Sequence, residues 1–319
     1  MHEPEPVHAA DESAYHAPVL VDEVLALLAA RDRLLDGTLG GGGHSAALLN
    51  AGAKSLLGVD RDPDAIAAAL ERLDAFARAG RFNAVQANYG DLADEPALAG
   101  ARFDGILLDL GISSHQIDDT SRGFSFRPGA PLDMRMAGTR AGTTGSAADL
   151  LMEEDEATLT RVFRDYGDEP RAGRLAREIV RRRGTRPFQT SDDLVGAIRG
   201  AFGPRTGPAD FARLFQAVRI AVNDERESLE RALPDLRDRL DPGGVLVVIA
   251  YHSGEDRLVK HAFREWSADC VCPPKQPMCT CRGHALGETL TRRAVKAGDT
   301  EIAGNPRARS ARLRAWRKA

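Results

Sequence analysis

Short apolar runs alternate along the first third of the chain with stretches whose apolar residues recur at helical spacing. The runs 33–38 (RLLDGT), 55–60 (SLLGVD), 82–87 (FNAVQA), 104–109 (DGILLD) and, far downstream, 245–250 (VLVVIA) are predicted strands. Helical segments are expected between the first four, at 44–52 and 63–79. The second puts Ile66, Leu70, Leu73 and Phe76 at i, i+4, i+7 and i+10, as one buried face requires, and Pro63 suits its first turn. Strands alternating with helices predict βαβ units and a parallel, Rossmann-like, doubly wound α/β sheet.

More than 130 residues separate the fourth strand from the fifth, far more than a crossover needs. From 122 to 210 the pattern is helical, bounded by RPGAPLD upstream and GPRTGP downstream. The expected organisation is a mobile tail at 1–15, a discontinuous α/β domain at 16–121 and 211–319, and an all-helical insert at 122–210 for substrate recognition. Residues 211–236 are expected to form one long amphipathic helix leading into strand five. The segments 288–295 and 310–318 are expected to add two antiparallel strands at the sheet edge.

Composition narrows the class. With 319 residues, 43% hydrophobic and 28% charged, the chain has the make-up of a soluble globular protein with a sizeable core. No apolar run is long enough for a membrane span, and the acidic, Pro-rich start has neither the basic nor the apolar region of a signal peptide. A cytoplasmic protein with reduced thiols and no membrane partner is the expectation. The net charge of −4 argues against a generic nucleic-acid coat, but it hides local asymmetry. Seven arginines and one acid fall between Arg171 and Arg186, and only basic charges follow Pro306, which suits a polyanion gripped at particular places.

Ligands of open α/β sheets sit beyond the carboxyl ends of the strands, so those ends carry the candidate chemistry. Strand one runs through Asp36 into Gly40–Gly43 and a helix opening with His44, and strand two ends in Asp60 about twenty residues on. That layout admits a nucleoside cofactor to the backbone and offers a carboxylate to its ribose. Spacing leaves two cofactors open. Gly41-x-Gly43-x-x-Ala46 satisfies a dinucleotide fingerprint, and an NAD-dependent oxidoreductase is the alternative reading. Asp36-x-x-x-Gly40-x-Gly42 equally fits the loop of S-adenosylmethionine (SAM) enzymes. Strand four ends in Asp109, followed by a polar loop with Gly111, Ser113, Ser114 and Gln116. Arg122, Phe124, Phe126, Arg127 and Arg135 then interleave rings and guanidinium groups, a mixture that stacks bases and neutralises phosphates. After strand five, Ser253 with Asp256 is expected to cap a helix, while His252 faces the cleft. All four cysteines, Cys270, Cys272, Cys279 and Cys281, lie in CVCPPKQPMCTC; a zinc site and a loop of reduced thiols both fit this pattern.

Taken together, HAPVLVDEVLALL, DGTLGGGGHSAALL, GVDRDPDAI, DGILLDLGISSHQIDDTSRGFSFRPGAPLDMRM, FQAVRIAVNDE, GGVLVVIAYHSGEDRLVKHAF and NPRARSARLRAWRK resemble the bacterial 16S ribosomal RNA cytosine-N4 methyltransferases, the RsmH or MraW family. The resemblance runs from residue 16 to the end. It implies a class I SAM-dependent methyltransferase fold with an all-helical insert. It also implies methylation of the exocyclic N4 amine of a cytosine in the decoding region of the small ribosomal subunit, position 1402 in the usual rRNA numbering. SAM contacts are implied for Gly42, Gly43, His44, Asp60, Tyr89, Asp109 and Gln116. Tyr89 stands where phenylalanine is common, Gly41 replaces a usual arginine, and HSGED replaces HSLED. The cysteine loop falls where the family varies. On this reading Asp109, or a carbonyl of the 110–114 loop, accepts the N4 hydrogens. Arg181, Arg182, Arg183, Arg307, Arg309 and Arg312 hold phosphates of 16S rRNA, and the chain acts as a monomer or homodimer.

Overall fold

The computed structural model describes residues 18–138, 145–273, 276 and 278–319; the expected tail at 1–15 falls outside them. Seven strands, β1 (Arg33–Asp36), β2 (Ser55–Asp60), β3 (Phe82–Gln86), β4 (Phe103–Asp109), β5 (Leu240–Ala250), β6 (Gly287–Thr289) and β7 (Arg312–Lys318), form one sheet in the order β3-β2-β1-β4-β5-β7-β6. The first five are parallel, β7 runs antiparallel to β5, and β6 pairs antiparallel with β7. The expected edge strand at 288–295 is thus shorter and starts earlier. The central strands are buried on both faces, which is why they read as continuous apolar runs.

Helices α1 (Val21–Leu28), α2 (Gly43–Asn50), α3 (Pro63–Arg72) and the short α4 (Asp74–Arg78) lie against one face of the sheet. The expected helix 63–79 breaks at Leu73; of its expected buried face, Leu73 is buried and Ile66 and Phe76 pack against the core, but Leu70 is not part of it. Leu70 is 41% exposed, whereas Ala65 and Ala69 are buried with Leu73. The reason is close packing: a Cβ added to Gly42 would stand 3.3 Å from the Ala69 Cβ, so only small residues fit beneath the loop.

After β4 come the single turn α5 (Ser114–Asp118) and the helices α6 (Ala147–Glu153), α7 (Glu156–Arg161), α8 (Ala172–Arg183), α9 (Ser191–Phe202) and α10 (Pro208–Asn223). These helices enclose a separate apolar core around Leu151, Phe163, Leu175, Ile179, Leu194 and Leu214. The expected single helix at 211–236 is two. Asp224 adopts φ 52°, ψ 36°, ending α10 and starting α11 (Glu225–Arg239). The break lets Phe211, Phe215 and Val218 join the helical core while Leu229, Leu233 and Leu236 cover the other sheet face with α12 (Ser253–Trp266). Asn223 locks the junction: its Nδ2 donates to the Met134 carbonyl at 2.7 Å and its Oδ1 accepts from the Met136 amide at 2.8 Å. Helix α13 (Asp299–Gly304) precedes β7. No helix among the described residues is long and apolar enough to cross a membrane.

Candidate active site

The strand ends and the helical layer enclose a cleft of about 420 Å³, lined by Gly37–Gly41, Gly43, His44, Asp60, Tyr89, Asp109–Ser113, Gln116, Arg219 and Tyr251, among others. Its floor is the loop after β1. The Leu39 amide donates to the Val59 carbonyl and the Gly40 amide to Asp60 Oδ2 at 2.8 Å, so the loop is pinned across the end of β2. Gly40 has φ 51° with nothing within 4 Å of an added Cβ, leaving bare backbone facing the cleft. Gly42, with φ 76°, does not line the cleft: it faces Ala69 and Leu73. The four glycines thus divide their work between the cleft and the packing of α2 on α3. Gly43 opens α2, where an added Cβ would meet the Pro18 ring at 3.1 Å.

Three carboxylates gather beneath and around this loop. Asp36, 2% exposed, accepts from Ser45 Oγ at 2.7 Å and from the Thr38 amide, and burial pushes its pKa up to about 6. Asp60 is likewise raised by burial to about 6, although the Asp62 and Gly40 amides pull the other way. Asp109 is raised furthest, to about 7, again by burial, with the Tyr251 hydroxyl opposing at 2.9 Å. Its side chain is still 22% exposed, enough to be reached from the cleft. The Thr38 hydroxyl accepts from the Asp109 amide at 2.6 Å, fixing the end of β4 against that of β1.

His44 approaches Asp109 to 3.7 Å through Nδ1. The contact is not a charge pair. Burial lowers the His44 pKa, and Nε2 lies 2.9 Å from the Val19 carbonyl, which can only accept, so the ring proton is on Nε2. Tyr89 lines the cleft with its hydroxyl 3.4 Å from the Glu225 carbonyl, and burial raises its pKa. Gln116 is 6% exposed and committed at both ends: Oε1 accepts from the Ser113 amide at 3.0 Å and Nε2 donates to Asp62 Oδ2 at 2.8 Å. It orders the loop after β4 more than it reaches into the cleft.

The residues expected to bind RNA separate into groups. Arg122 is largely shielded, its side chain 10% exposed, with Nη2 3.0 Å from Asp62 Oδ2 and 2.7 Å from the Met136 carbonyl, so it ties the insert to the sheet. Phe124 packs against the helical core, and Phe126 meets Phe211 and Phe215 edge-on at 5.9 and 6.0 Å while staying 36% exposed. Arg135 grips Asp133 through two hydrogen bonds. Arg181 and Arg182 share Glu178, Arg183 donates to the Leu151 and Glu154 carbonyls, and Arg312 lies 3.3 Å from Asp256. Arg127 and Arg309 are exposed. Arg307 lines the cleft, holds Asp118 through Nη2 at 3.1 Å, and leaves Nη1 without a hydrogen-bond partner among the described residues. The four cysteines lie outside the cleft lining.

The expected Ser253 cap is not formed. His252 is the N-cap of α12, its Nδ1 accepting from the Glu255 amide at 3.4 Å, while Glu255 Oε2 accepts from the Tyr251 amide at 3.0 Å. Asp256 instead pairs with Arg314 on β7 at 2.7 Å. Burial opposes the charge on Glu255, but His252 and Arg219 together hold its pKa below the usual value. Tyr251 and Arg219 are among the cleft residues not singled out from sequence. Tyr251 directly follows β5, so the strand-end rule could have found it. Arg219, gripping Glu225 at 2.9 and 3.0 Å, comes from the helical layer and gives no such signal.

The sequence profile of the MraW methylase family matches residues 13–319. The chain belongs to this family. Its sheet order and site at the strand ends are those of a class I SAM-dependent methyltransferase, and the dinucleotide alternative is set aside. A relative from Gemmatimonas aurantiaca, ribosomal RNA small subunit methyltransferase H, is 64% identical over 305 residues, covering 96% of each chain. Relatives of the same name from Heliobacterium modesticaldum (45% identical, 95% of this chain and 98% of the relative) and Anaeromyxobacter sp. (48% identical, 95% and 97%) span similar lengths. A solved rRNA methylase from Streptococcus thermophilus aligns over 93% of both chains at 9% identity, with a TM-score of 0.41, too slight a likeness to bear on the site.

Proposed function

We propose that this protein transfers a methyl group from SAM to the exocyclic N4 amine of a cytosine in the 16S rRNA of the small ribosomal subunit, position 1402 in the usual numbering, in the cytoplasm. The observation that carries the reading is a half-buried Asp109 at the end of β4, raised to about 7 and held by Tyr251 at the wall of the cleft. The relatives' shared name supports the RNA substrate.

The residues present fit the cofactor. The cleft has the size of a nucleoside site. Gly40 and Gly41 admit it to the backbone. Each Asp60 oxygen accepts one amide hydrogen and keeps a lone pair for a ribose hydroxyl. Tyr89 offers a ring face to the adenine, and Gly43 and His44 border the methionine end. When bound, SAM supplies an electrophilic methyl group on a sulfonium sulfur.

Cytosine N4 is a weak nucleophile because its lone pair is delocalised into the ring. The protein must hold the amine in line, and positioning of this kind is worth about 7–11 kcal/mol. Asp109 accepts a hydrogen bond from the amine and takes the proton it sheds as the nitrogen becomes tetrahedral. A carboxylate with a pKa of about 7 is well matched to that task near neutrality. Tyr251 orients Asp109 and keeps it from rising further. Reaching N4 requires the base to leave its stack and enter the cleft beside the helical layer. Arg307 at the cleft, with Arg127 and Arg309 outside it, is best placed for phosphates. Of the arginines expected in that role, Arg122, Arg135 and Arg181–Arg183 are engaged within the protein.

The test is transfer of labelled methyl from SAM to small subunits isolated from a strain lacking this protein. Incorporation into the small-subunit RNA supports the reading; label that stays with SAM, while subunits from the parent strain also accept none, removes it.

A further inference from the structure

Cys270, Cys272, Cys279 and Cys281 come from the two arms of the loop joining α12 to β6, and the reaction has no use for them. Their four Sγ atoms all lie within 4.8 Å of one another. The edges Cys270–Cys279, Cys270–Cys281, Cys272–Cys279 and Cys279–Cys281 measure 3.7, 3.8, 3.9 and 3.5 Å. Disulfide sulfurs stand about 2.0 Å apart, so no pair is bonded. Nor does burial gather them, since two are exposed and two half-exposed. A thiol is a weak donor and a weak acceptor, and four of them gain little from facing one another.

A tetrahedral ion explains the arrangement. Four thiolates about 2.3 Å from a zinc ion stand about 3.8 Å apart along every edge of the tetrahedron. The observed edges straddle that value. A spread below 4.8 Å holds one ion and leaves no room for several irons and sulfides between the thiolates. The Val271 amide also points at Cys281 Sγ at 3.4 Å, a hydrogen bond that favours the thiolate.

We propose that these four cysteines bind one zinc ion as a closed, structural site. All four positions are protein ligands, so none is left for water or substrate. The base of the loop is already fastened to the end of α12. The Leu286 amide donates to the Trp266 carbonyl at 2.8 Å, Arg282 donates to the Ala268 carbonyl at 3.1 Å, and the Ala285 amide donates to Asp269 Oδ1 at 3.2 Å. Among the described residues of the tip, the large apolar side chains stay in solvent: Val271 is 41% and Met278 76% exposed. The ion supplies the missing cross-link. Helix α12 starts beside the cleft at Ser253 and runs 14 residues, roughly 21 Å, so its far end carries the ion away from the reacting atoms.

The test is elemental analysis of the full chain purified under reducing conditions without a metal-affinity column, alongside thiol titration. The chain has four cysteines in all, so the titration reads this loop alone. About one zinc per chain is expected, released by a mercurial in step with the loss of four thiols. The Cys270→Ser/Cys279→Ser variant should lose the zinc and keep its thermal stabilisation by S-adenosylhomocysteine. If that variant does not fold, the release titration on the unaltered protein decides. Metal-free protein with four freely reactive thiols, disulfides found by mass, iron in place of zinc, or zinc retained by the double variant would each overturn the proposal.

Discussion

The Tyr251 hydroxyl donates to Asp109 Oδ1 at 2.9 Å, across the neighbouring ends of β5 and β4. Burial raises the Asp109 pKa, this hydrogen bond lowers it and the Glu255 charge raises it again, to about 7. Below that value the carboxyl is protonated and cannot accept; above it the carboxylate is free to do so. The methyl-transfer rate should therefore rise with pH through about 7. Tyr251→Phe removes the lowering contribution, and the rising limb should move about one pH unit to the alkaline side. A pH–rate profile on the variant checks the direction; an unchanged or acid-shifted limb contradicts it.

Asp109→Asn keeps the shape of the side chain but cannot take a proton. The expected outcome is a loss of about 10²–10⁴-fold in rate with S-adenosylhomocysteine affinity changed far less. Single-turnover rates and calorimetric binding separate the two. A variant that methylates at the parental rate would place the acceptor elsewhere, with the carbonyls of the 110–114 loop next in line.

The glycine loop gives a paired test. Gly42→Ala forces φ 76° on an alanine and presses its Cβ to 3.1 Å from Leu73, so it should cost about 1–2 kcal/mol or more of stability, seen as a lowered Tm. Gly40→Ala has φ 51° but open space, so its stability cost should be smaller while cofactor affinity falls. Equal effects on Tm and on affinity in the two variants would mean the loop does not divide its work in this way.

How far this arrangement was legible in sequence depends on how local each feature is. The central strands β4 and β5 could be read because both their faces are buried and their residues say so directly, and edge strand β3 because it falls in the strand–helix alternation, with only Phe82 buried. The register of the glycine loop could not, because whether Gly42 meets cofactor or α3 depends on Ala69, which is 27 positions away. The break at Asp224 was hidden as well: Asn223-Asp224-Glu225 contains neither glycine nor proline, and the apolar spacing continues across it. Arg122 shows the same limit in the site. A guanidinium just ahead of two phenylalanines reads as a phosphate holder, yet Asp62, 60 positions upstream, takes it into the protein.

That pair separates structural from RNA-binding arginines. Arg122→Ala leaves buried Asp62 without its cation and should destabilise the fold by about 3 kcal/mol. Arg309→Ala, on an exposed side chain, should leave Tm unchanged, weaken RNA binding and reduce the salt dependence of binding by about one counterion. Thermal melts and binding measured across a salt series check both. An Arg309→Ala salt slope equal to that of the unaltered protein would remove the tail from the RNA interface.

The most direct measurement is mass-spectrometric mapping of the nucleotide methylated when this protein, SAM and small subunits from a strain lacking it are combined. A single N4-methylated cytosine in the decoding region, absent when Asp109 is replaced by asparagine, is the predicted result. Methylation on a ring carbon, a ribose oxygen or a base other than cytosine would contradict the account.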